Sequence, residues 1–221
     1  LGIENSYRMI ILHKILNNER ISLARFNDGE VGAILGNLEY TSRSNQVVTP
    51  ELIKELKGVL KYRNDGFYFG VPCPICFPDY YHYVMSELDD YPNKILATAT
   101  TNSNYRYFKT ELLTLLNNKD VAIVSDQEIN LPLRKATFYT CPPRDAHESS
   151  EKIFKKLGDH QYYLLTCGAA SRGLAWRLHR DGKNALDLGS IFDPEKDRPL
   201  KAHLWFDRYK NEQNYCPICN Y

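Results

Sequence analysis

The 221 residues carry 28 Lys and Arg against 27 Asp and Glu, which gives a formal net charge of +1. This balance, without any basic run, excludes the charge pattern of a nucleic-acid-binding protein. Hydrophobic residues make up 43% of the chain and charged residues 25%, as in an ordinary soluble globular protein. No apolar stretch is long enough to span a membrane, and no signal peptide is visible. We therefore expect a cytoplasmic protein without a membrane span.

Segments with helix and strand patterns alternate along the chain. Apolar spacing and helix-start residues predict helices over 3–16, 49–60, 78–88, 107–116, 145–157 and 168–179. Short apolar runs predict strands over 21–26, 67–70, 94–100, 120–125, 136–141, 161–167 and 185–188. This alternation predicts an α/β fold with a mainly parallel sheet and helices on both faces. Since the last stretch has no period and several prolines, we divide the chain into one domain (1–190) and an irregular tail packed on it (191–221).

An acidic turn follows the first predicted strand. Asn27, Asp28, Gly29 and Glu30 come at a strand end, where ligands bind in open α/β sheets. In an extended segment Asp28 and Glu30 leave on the same side, and two such oxygen ligands suit Mg²⁺ or Mn²⁺ shared with a diphosphate. Gly29 would let a ligand approach the backbone, and Arg25 is placed to pair with a carboxylate or with phosphate. A simple acidic surface turn is the alternative, because Asp-Gly is a common turn dipeptide.

A second candidate lies at the strand-to-helix junction over residues 166–172, TCGAASR. Small residues there expose helix N–H groups to an anion, which the helix dipole favours. Ser171 adds a hydroxyl and Arg172 a guanidinium. A diphosphate held here and bridged by a metal to Asp28 and Glu30 would be neutralised from two sides. Close packing of a helix on the sheet also requires Gly and Ala, and it remains the alternative.

The cysteines form a repeated motif. Cys73-Pro-Ile-Cys76 and Cys216-Pro-Ile-Cys219 are the same tetrapeptide at two distant places. Paired C-x-x-C elements are the ligand set of a four-cysteine zinc site, which would pin the tail to the loop after residue 70. Such a Zn²⁺ is structural, because four thiolates leave no open position for chemistry. Two unrelated thiol pairs, or disulfides outside the cytosol, are the alternatives.

Two segments resemble the GT-D fold glycosyltransferases, long catalogued as a domain of unknown function in bacterial glycan clusters. ISLARFNDGEV resembles that family's R-F-G-D-G-E segment. LLTCGAASRGLAWRLHRDGKNALDLGSI resembles its later segment, in which a Gly-x-x-Ala run opens a helix before a "dIGHid"-like strand end. The resemblance covers roughly residues 5–195. Asn27 stands where the family usually has glycine, and Ser190 where it usually has histidine.

The resemblance implies a Rossmann-like α/β fold, a nucleotide-sugar donor and a D-x-E element that holds a divalent metal with the diphosphate. It places Asp28 and Glu30 as the D-x-E pair and residues 168–171 as the helix-start segment. We expect a glycosyltransferase that moves a hexose or deoxyhexose from a nucleoside diphosphate sugar, UDP-linked, to a hydroxyl of a glycan or glycoprotein acceptor. The residues expected to bind the donor are Arg25, Phe26, Asn27, Gly29, Gly168, Ala169, Ala170, Ser171, Arg172, Asp187 and Ser190.

The catalytic assignment follows from the same expectation. Mg²⁺ or Mn²⁺ at Asp28 and Glu30 would stabilise the departing diphosphate. If the reaction inverts the anomeric centre, a base must take the acceptor's proton, and Asp126, Glu128 and Asp193 are the candidates. An α/β hydrolase of a nucleotide or phosphorylated metabolite, and a non-catalytic zinc-stapled module that binds sugars or a protein, are the alternatives. Because the chain begins with Leu rather than Met, the sequence also leaves open that it is a module of a larger glycosyltransferase.

Overall fold

The computed structural model describes residues 3–37, 47–97, 105–144 and 146–196. Within these ranges a seven-stranded sheet has the order β3-β2-β1-β7-β6-β4-β5, and every described pair of neighbouring strands runs parallel. The predicted α/β class with a parallel sheet is confirmed. The strands are β1 (Ser22–Arg25), β2 (Phe67–Val71), β3 (Lys94–Leu96), β4 (Val121–Ser125), β5 (Ala136–Thr140), β6 (Tyr162–Thr166) and β7 (Asn184–Asp187).

Helices cover both faces of this sheet, as the alternating pattern predicts. One hydrophobic cluster joins the sheet to α1 and α5, and two clusters on the opposite face join it to the other helices. The helices are α1 (Ile3–Leu16), α2 (Asp28–Ile34), α3 (Pro50–Leu60), α4 (Pro78–Leu88), α5 (Tyr105–Leu116), α6 (Ala146–Lys156) and α7 (Ala170–Arg180), followed by a short 3₁₀ helix (Pro194–Lys196). Within the described ranges, no helix is long and apolar enough to cross a bilayer.

The side-chain alternation of β1 explains its central place in the sheet. Leu23 and the preceding Ile21 lie in the cluster under α1 and α5, whereas Ala24 and Phe26 lie in the cluster under α2 and α3. All four are fully buried, because a strand in the middle of a parallel sheet is covered on both faces.

The segment after β1 differs from the expectation of an extended turn. Asp28, Gly29 and Glu30 form the first turn of α2. Asn27 precedes this helix with an extended backbone (φ −123°, ψ −159°), and its N–H donates to Glu30 Oε2 at 3.1 Å. An Asn followed three residues later by a Glu is the sequence signature of a capped helix start, and acidic side chains there are stabilised by the helix dipole. The sequence Asn27-Asp28-Gly29-Glu30 therefore already contains the signal for a helix start.

At the carboxyl edge of the sheet, the connections after β4 and after β6 run in opposite directions. From β4 the chain continues outward to β5, whereas from β6 it continues in the opposite direction to β7. The connections that leave these two neighbouring strands therefore separate, and such a topological switch point is where ligands bind in open α/β sheets. Predictions for residues 98–100 of the third strand and for 197–221 of the tail fall outside the described residues.

Candidate functional site

Two helices begin at the same edge of the sheet. α2 follows β1 directly and α7 follows β6, while β7 lies between these two strands. Gly168, in the short turn before α7, has φ +59°, a left-handed conformation that glycine adopts without strain. The positive ends of both helix dipoles are therefore directed to the carboxyl ends of β1, β7 and β6. The two stretches singled out in the sequence lie beside each other.

Arg172 is the residue that connects them. Its side chain is 5% exposed, with Nη2 3.0 Å from Glu30 Oε1 and Nε 3.1 Å from Asp187 Oδ2. Nε also donates to the carbonyl oxygen of Arg25, and Nη1 donates to that of Gly168. One guanidinium thus joins the starts of α2 and α7 to the ends of β1 and β7. The sequence predicts Arg172 as a donor-binding residue, and the structure directs its guanidinium to these protein groups.

Asp187 ends β7 as a fully buried carboxylate. Besides its contact with Arg172, Oδ2 accepts a hydrogen bond from the backbone N–H of Arg25 at 3.0 Å, and Oδ1 accepts one from that of Gly189 at 3.2 Å. Burial raises the pKa of the Asp187 carboxyl, while the guanidinium groups of Arg172 and Arg25 oppose the rise. Asp187 therefore holds the carboxyl end of β1 against β7.

The Arg25 side chain passes between two glycines at this edge. It is 5% exposed, and Nε donates to the carbonyl oxygen of Ala97 at 2.6 Å. A Cβ at Gly189, which has φ +57°, would collide with the Arg25 guanidinium, and a Cβ at Gly70 would lie 3.0 Å from Arg25 Cγ. Gly189 therefore needs to be glycine if Arg25 is to stay where it is, whereas a side chain at Gly70 would require a small shift of Arg25 or Ala97.

The two acidic side chains at the start of α2 have different surroundings. Glu30 has one oxygen on Arg172 and the other on the N–H of Asn27. Asp28 is half-buried at the first position of the helix. Residues two apart on a helix do not share a face, so the side-by-side arrangement expected of an extended segment is wrong.

The side chains at this edge could hold a divalent cation only if water and substrate phosphates supplied most of its ligands. Within the described ranges, no group of three or more His, Cys, Asp or Glu side chains is arranged to hold a metal ion. Mg²⁺, however, keeps several waters and is usually bound by one or two carboxylates together with substrate phosphates. The Asp28 carboxylate is compatible with that arrangement, whereas both oxygens of Glu30 are already bonded, to Arg172 and to the N–H of Asn27.

The other predicted acidic residues lie further along the edge. Asp126 follows β4 and forms an ion pair with Lys196, with Oδ1 2.8 Å from Nζ, while Asp193 Oδ1 lies 3.9 Å from the same Nζ. Glu128 is exposed in the loop after β4. Three strand-to-strand steps separate β1 from β4, which corresponds to about 14 Å. The structure therefore brings Asp126 and Asp193 together, at a distance from Asp28 and Glu30.

Several predicted donor-binding residues are buried beneath this edge. The Phe26 ring is fully buried, with its centroid 6.2 Å from that of Phe69. Ala170 and Ser171 are also fully buried, and Ser171 Oγ accepts a hydrogen bond from the N–H of Cys167 at 3.1 Å. The half-buried residues that remain at the surface of the edge are Asn27, Gly29, Gly168, Ala169 and Ser190.

The structure describes two of the four cysteines that the sequence predicts as zinc ligands. Cys73 is buried and Cys76 half-buried in the turn between β2 and α4, where the Phe77 N–H donates to the Cys73 carbonyl oxygen at 2.9 Å. Both cysteines thus lie in one tight turn, as a C-x-x-C metal-binding pair requires. Cys216 and Cys219 lie outside the described residues.

Lys196 is the functional candidate that sequence reasoning missed. It is 4% exposed, although lysine is almost never fully buried unless it is paired. Its only local signal is its place three residues after Asp193, in a segment without helical or strand period.

No protein-family model matches the chain, and no curated protein is similar to it at a significant level. Solved structures do match. A selenomethionine-substituted domain of unknown function 1792 superposes with a TM-score of 0.69 at 17% identity, over 93% of this chain and 86% of that one. A second structure of that domain, described as having a distinct glycosyltransferase fold, gives 0.68 at 17% identity over the same shares. A third, described as a new glycosyltransferase from Streptococcus sanguinis, gives 0.65 at 18% identity over 94% and 84%. The chain shares the fold of these structures, as the resemblance implies.

Proposed function

We propose that this protein is a glycosyltransferase that transfers a hexose or deoxyhexose from a nucleoside diphosphate sugar, UDP-linked, to a hydroxyl of a glycan or glycoprotein. The observation that carries the proposal is that α2 and α7 both begin at one edge of the sheet, with Asp28 half-buried at the first position of α2. Helix N-termini bind phosphate groups through their free N–H groups and their dipoles. The shared fold supports the same activity, because two of the matching structures are described in glycosyltransferase terms.

The charges at this edge explain why a cation belongs to the proposal. The Arg172 guanidinium pairs with the carboxylates of Glu30 and Asp187, and Asp28 adds a further carboxyl group at the start of α2. A diphosphate would add negative charge to an edge of the sheet that already carries these carboxyl groups. Asp28 would hold Mg²⁺ or Mn²⁺ together with the diphosphate, and Glu30, the second predicted ligand, would have to exchange its bond to Arg172 or Asn27 to join it. The chemistry such an ion supplies is neutralisation of the charge that builds up on the departing group.

The protein's own groups have separate tasks in this proposal. The N–H groups at the start of α7 orient the diphosphate, and Gly29 lets it approach the backbone of α2. Arg172 keeps the two helix starts in register through its contacts with Glu30 and Asp187. An acceptor hydroxyl loses its proton to a carboxylate, for which Asp126, Asp193 and Glu128 remain the candidates.

Thermal unfolding with a panel of nucleoside diphosphate sugars, with and without Mn²⁺, tests the proposal. A donor present at a hundred times its Kd adds about 2.7 kcal/mol to the stability of the folded state. For a chain of this size, that corresponds to a rise in Tm of about 5–10 °C. Asp28→Asn should abolish the Mn²⁺-dependent part of the rise and the transfer of sugar. No Tm increase with any donor, or an Asp28→Asn variant with unchanged transfer, would refute the assignment.

Gly29→Ala provides a sharper version of this test. A Cβ at Gly29 has open space around it, and alanine is the better helix former, so the fold should be kept or slightly stabilised. If the diphosphate approaches the α2 backbone, the same methyl group should weaken donor binding at least about tenfold, because it occupies the position of the phosphate oxygens. Unchanged donor affinity in a folded Gly29→Ala variant would place the diphosphate elsewhere.

We also propose a structural Zn²⁺ at Cys73, Cys76, Cys216 and Cys219. The described pair lies in one tight turn, and the second pair repeats the same tetrapeptide. Metal analysis should find about one zinc per chain, since a four-thiolate site binds one ion. Loss of this zinc in Cys216→Ser would support the shared site, whereas an unchanged zinc content in that variant would exclude the second tetrapeptide as ligand.

A further inference from the structure

The two edges of the sheet differ in their protection against pairing with a further strand. β3, at one edge, has three residues, begins with Lys94, and has its other two residues buried. A short edge strand, a lysine and a cover of other chain segments are three ways in which natural sheets avoid such pairing. β5, at the opposite edge, has five residues (ATFYT) without a charge or a proline, and Ala136, Thr137 and Thr140 are exposed. β5 therefore presents an edge to which another strand can be added.

The hydrogen bonds between β4 and β5 show which peptide groups of β5 point outward. Val121 N–H donates to the carbonyl oxygen of Lys135 at 3.0 Å, and Cys141 N–H donates to that of Ser125 at 2.7 Å. Because the backbone direction alternates along a strand, every second residue between Lys135 and Cys141 also bonds β4. The residues whose N–H and carbonyl groups point away from β4 form an outward row, which consists of Ala136, Phe138 and Thr140. Among the described residues, none forms a hydrogen bond with these outward groups.

The outward row has a defined beginning and a defined end. Arg134, two residues before the row, has its N–H bonded to the carbonyl oxygen of Asn117 at 3.3 Å. Pro142, two residues after the row, has no N–H to donate. The row therefore has an odd number of members, with Phe138 at its centre, and it offers three N–H donors and three carbonyl acceptors.

Such a row is complementary to a second copy of itself. When two identical strands lie antiparallel about a two-fold axis, residues opposite each other in a hydrogen-bonded pair exchange both N–H···O bonds. With the axis at Phe138, this residue pairs with its own copy, and Ala136 pairs with Thr140 of the second copy. The three N–H and three carbonyl groups of each row are then all bonded. We propose that two copies of this protein associate through their β5 strands, which joins the two sheets into one.

Charge and side-chain packing agree with a second copy as the partner. The outward row carries no charge, and the register places Lys135 opposite Cys141 of the second copy, so no lysine faces a lysine. Phe138, half-buried against the cluster under α1 and α5, faces its own copy in a favourable aromatic pair. A strand of five residues is about 17 Å long. Because so short a contact buries little area, we expect a weak and reversible dimer, which does not depend on the proposed function.

Sedimentation velocity of the whole chain tests the association. Measurements from about 1 µM to about 300 µM bracket the affinity expected of a small interface, and the sedimentation coefficient should rise from that of a monomer to that of a dimer. Amide hydrogen exchange read by NMR locates the contact. Exchange at Ala136, Phe138 and Thr140 should slow as the concentration rises, because these N–H groups become bonded only in the dimer.

Two double variants then test the antiparallel register. Ala136→Lys with Thr140→Lys places lysine opposite lysine at both ends of the row and should weaken the dimer at least about tenfold. Ala136→Lys with Thr140→Glu places lysine opposite glutamate and should keep the dimer within about threefold of the wild type. Both positions are exposed, so each variant should fold. His82→Lys with Ser86→Lys, at exposed positions of α4 beside β2, adds the same side-chain charge away from β5 and should leave the dimer unchanged.

Three outcomes would overturn the proposal. A wild-type protein that stays monomeric over the whole range has no such dimer, as expected if the tail (191–221) or a different protein covers the edge. A dimer that is equally strong in the lysine–lysine and lysine–glutamate variants forms through another surface. Equal weakening in both of these variants would exclude the antiparallel register, because opposite charges should restore the pairing that like charges disrupt.

Discussion

Replacement of Arg172 by Met should destabilise the protein more than any other single change at this edge. Met has a similar length and no charge, so the carboxylates of Asp187 and Glu30 lose their shared cation. Asp187 is fully buried, and removal of one partner from a buried ion pair costs about 3–5 kcal/mol, because the other charge stays behind uncompensated. In a chain of this size the change should lower Tm by about 6–20 °C.

A double-mutant cycle identifies the origin of this loss. Adding Asp187→Asn to Arg172→Met removes the buried carboxylate that has lost its partner. The double variant should therefore lose at least about 1 kcal/mol less unfolding free energy than the sum of the losses in the two single variants. Arg177→Met on the same helix is the control. Arg177 is 20% exposed and bonds the exposed Glu151 as well as Glu55, and Glu55 keeps His147 as a partner, so the loss of Arg177 should cost less than the loss of Arg172.

Urea unfolding of these variants, followed by circular dichroism, gives the required free energies. If Arg172→Met costs no more than Arg177→Met, the guanidinium is not the link between the helix starts. If the cycle shows no coupling with Asp187, the destabilisation comes from packing and the electrostatic reasoning is wrong.

Two further predictions concern stability. Gly189→Ala should lower the free energy of unfolding in urea by about 2–4 kcal/mol, because φ +57° is unfavourable for alanine and the methyl group collides with Arg25. Gly29→Ala is the control and should not lower it. Equal losses in the two variants would contradict this explanation. Burial lowers the pKa of His179 to about 4. Between about pH 6.5 and pH 4, His179 is protonated in the unfolded chain but stays neutral in the folded protein. The free energy of unfolding should therefore be highest above about pH 6.5 and fall by about 3 kcal/mol towards pH 4. His179→Phe should flatten this part of the pH profile of urea unfolding, and an unchanged slope would assign it to other groups.

Local patterns in the sequence were sufficient for the fold class. Strand and helix periods alternate from residue 3 to residue 188, and a parallel sheet with helices on both faces is the stable way to bury such segments. The start of α2 was also present locally, in an Asn followed three residues later by Glu30. It was missed because the Asp-Gly pair within it was interpreted as a turn.

The order of the strands and the partners of the charged side chains were decided only by the tertiary structure. Period-2 alternation indicates that a segment is a strand, but it contains no information about which strand lies beside it. Arg172 meets Glu30 and Asp187 because β7 pairs with β1, which lies more than 150 residues earlier in the chain. Lys196 reaches Asp126 because the segment after β7 crosses the end of β6, and no local pattern encodes that path. The sequence by itself therefore determined the elements and the candidate phosphate-binding helix starts, whereas long-range packing determined which charges meet at the edge of the sheet.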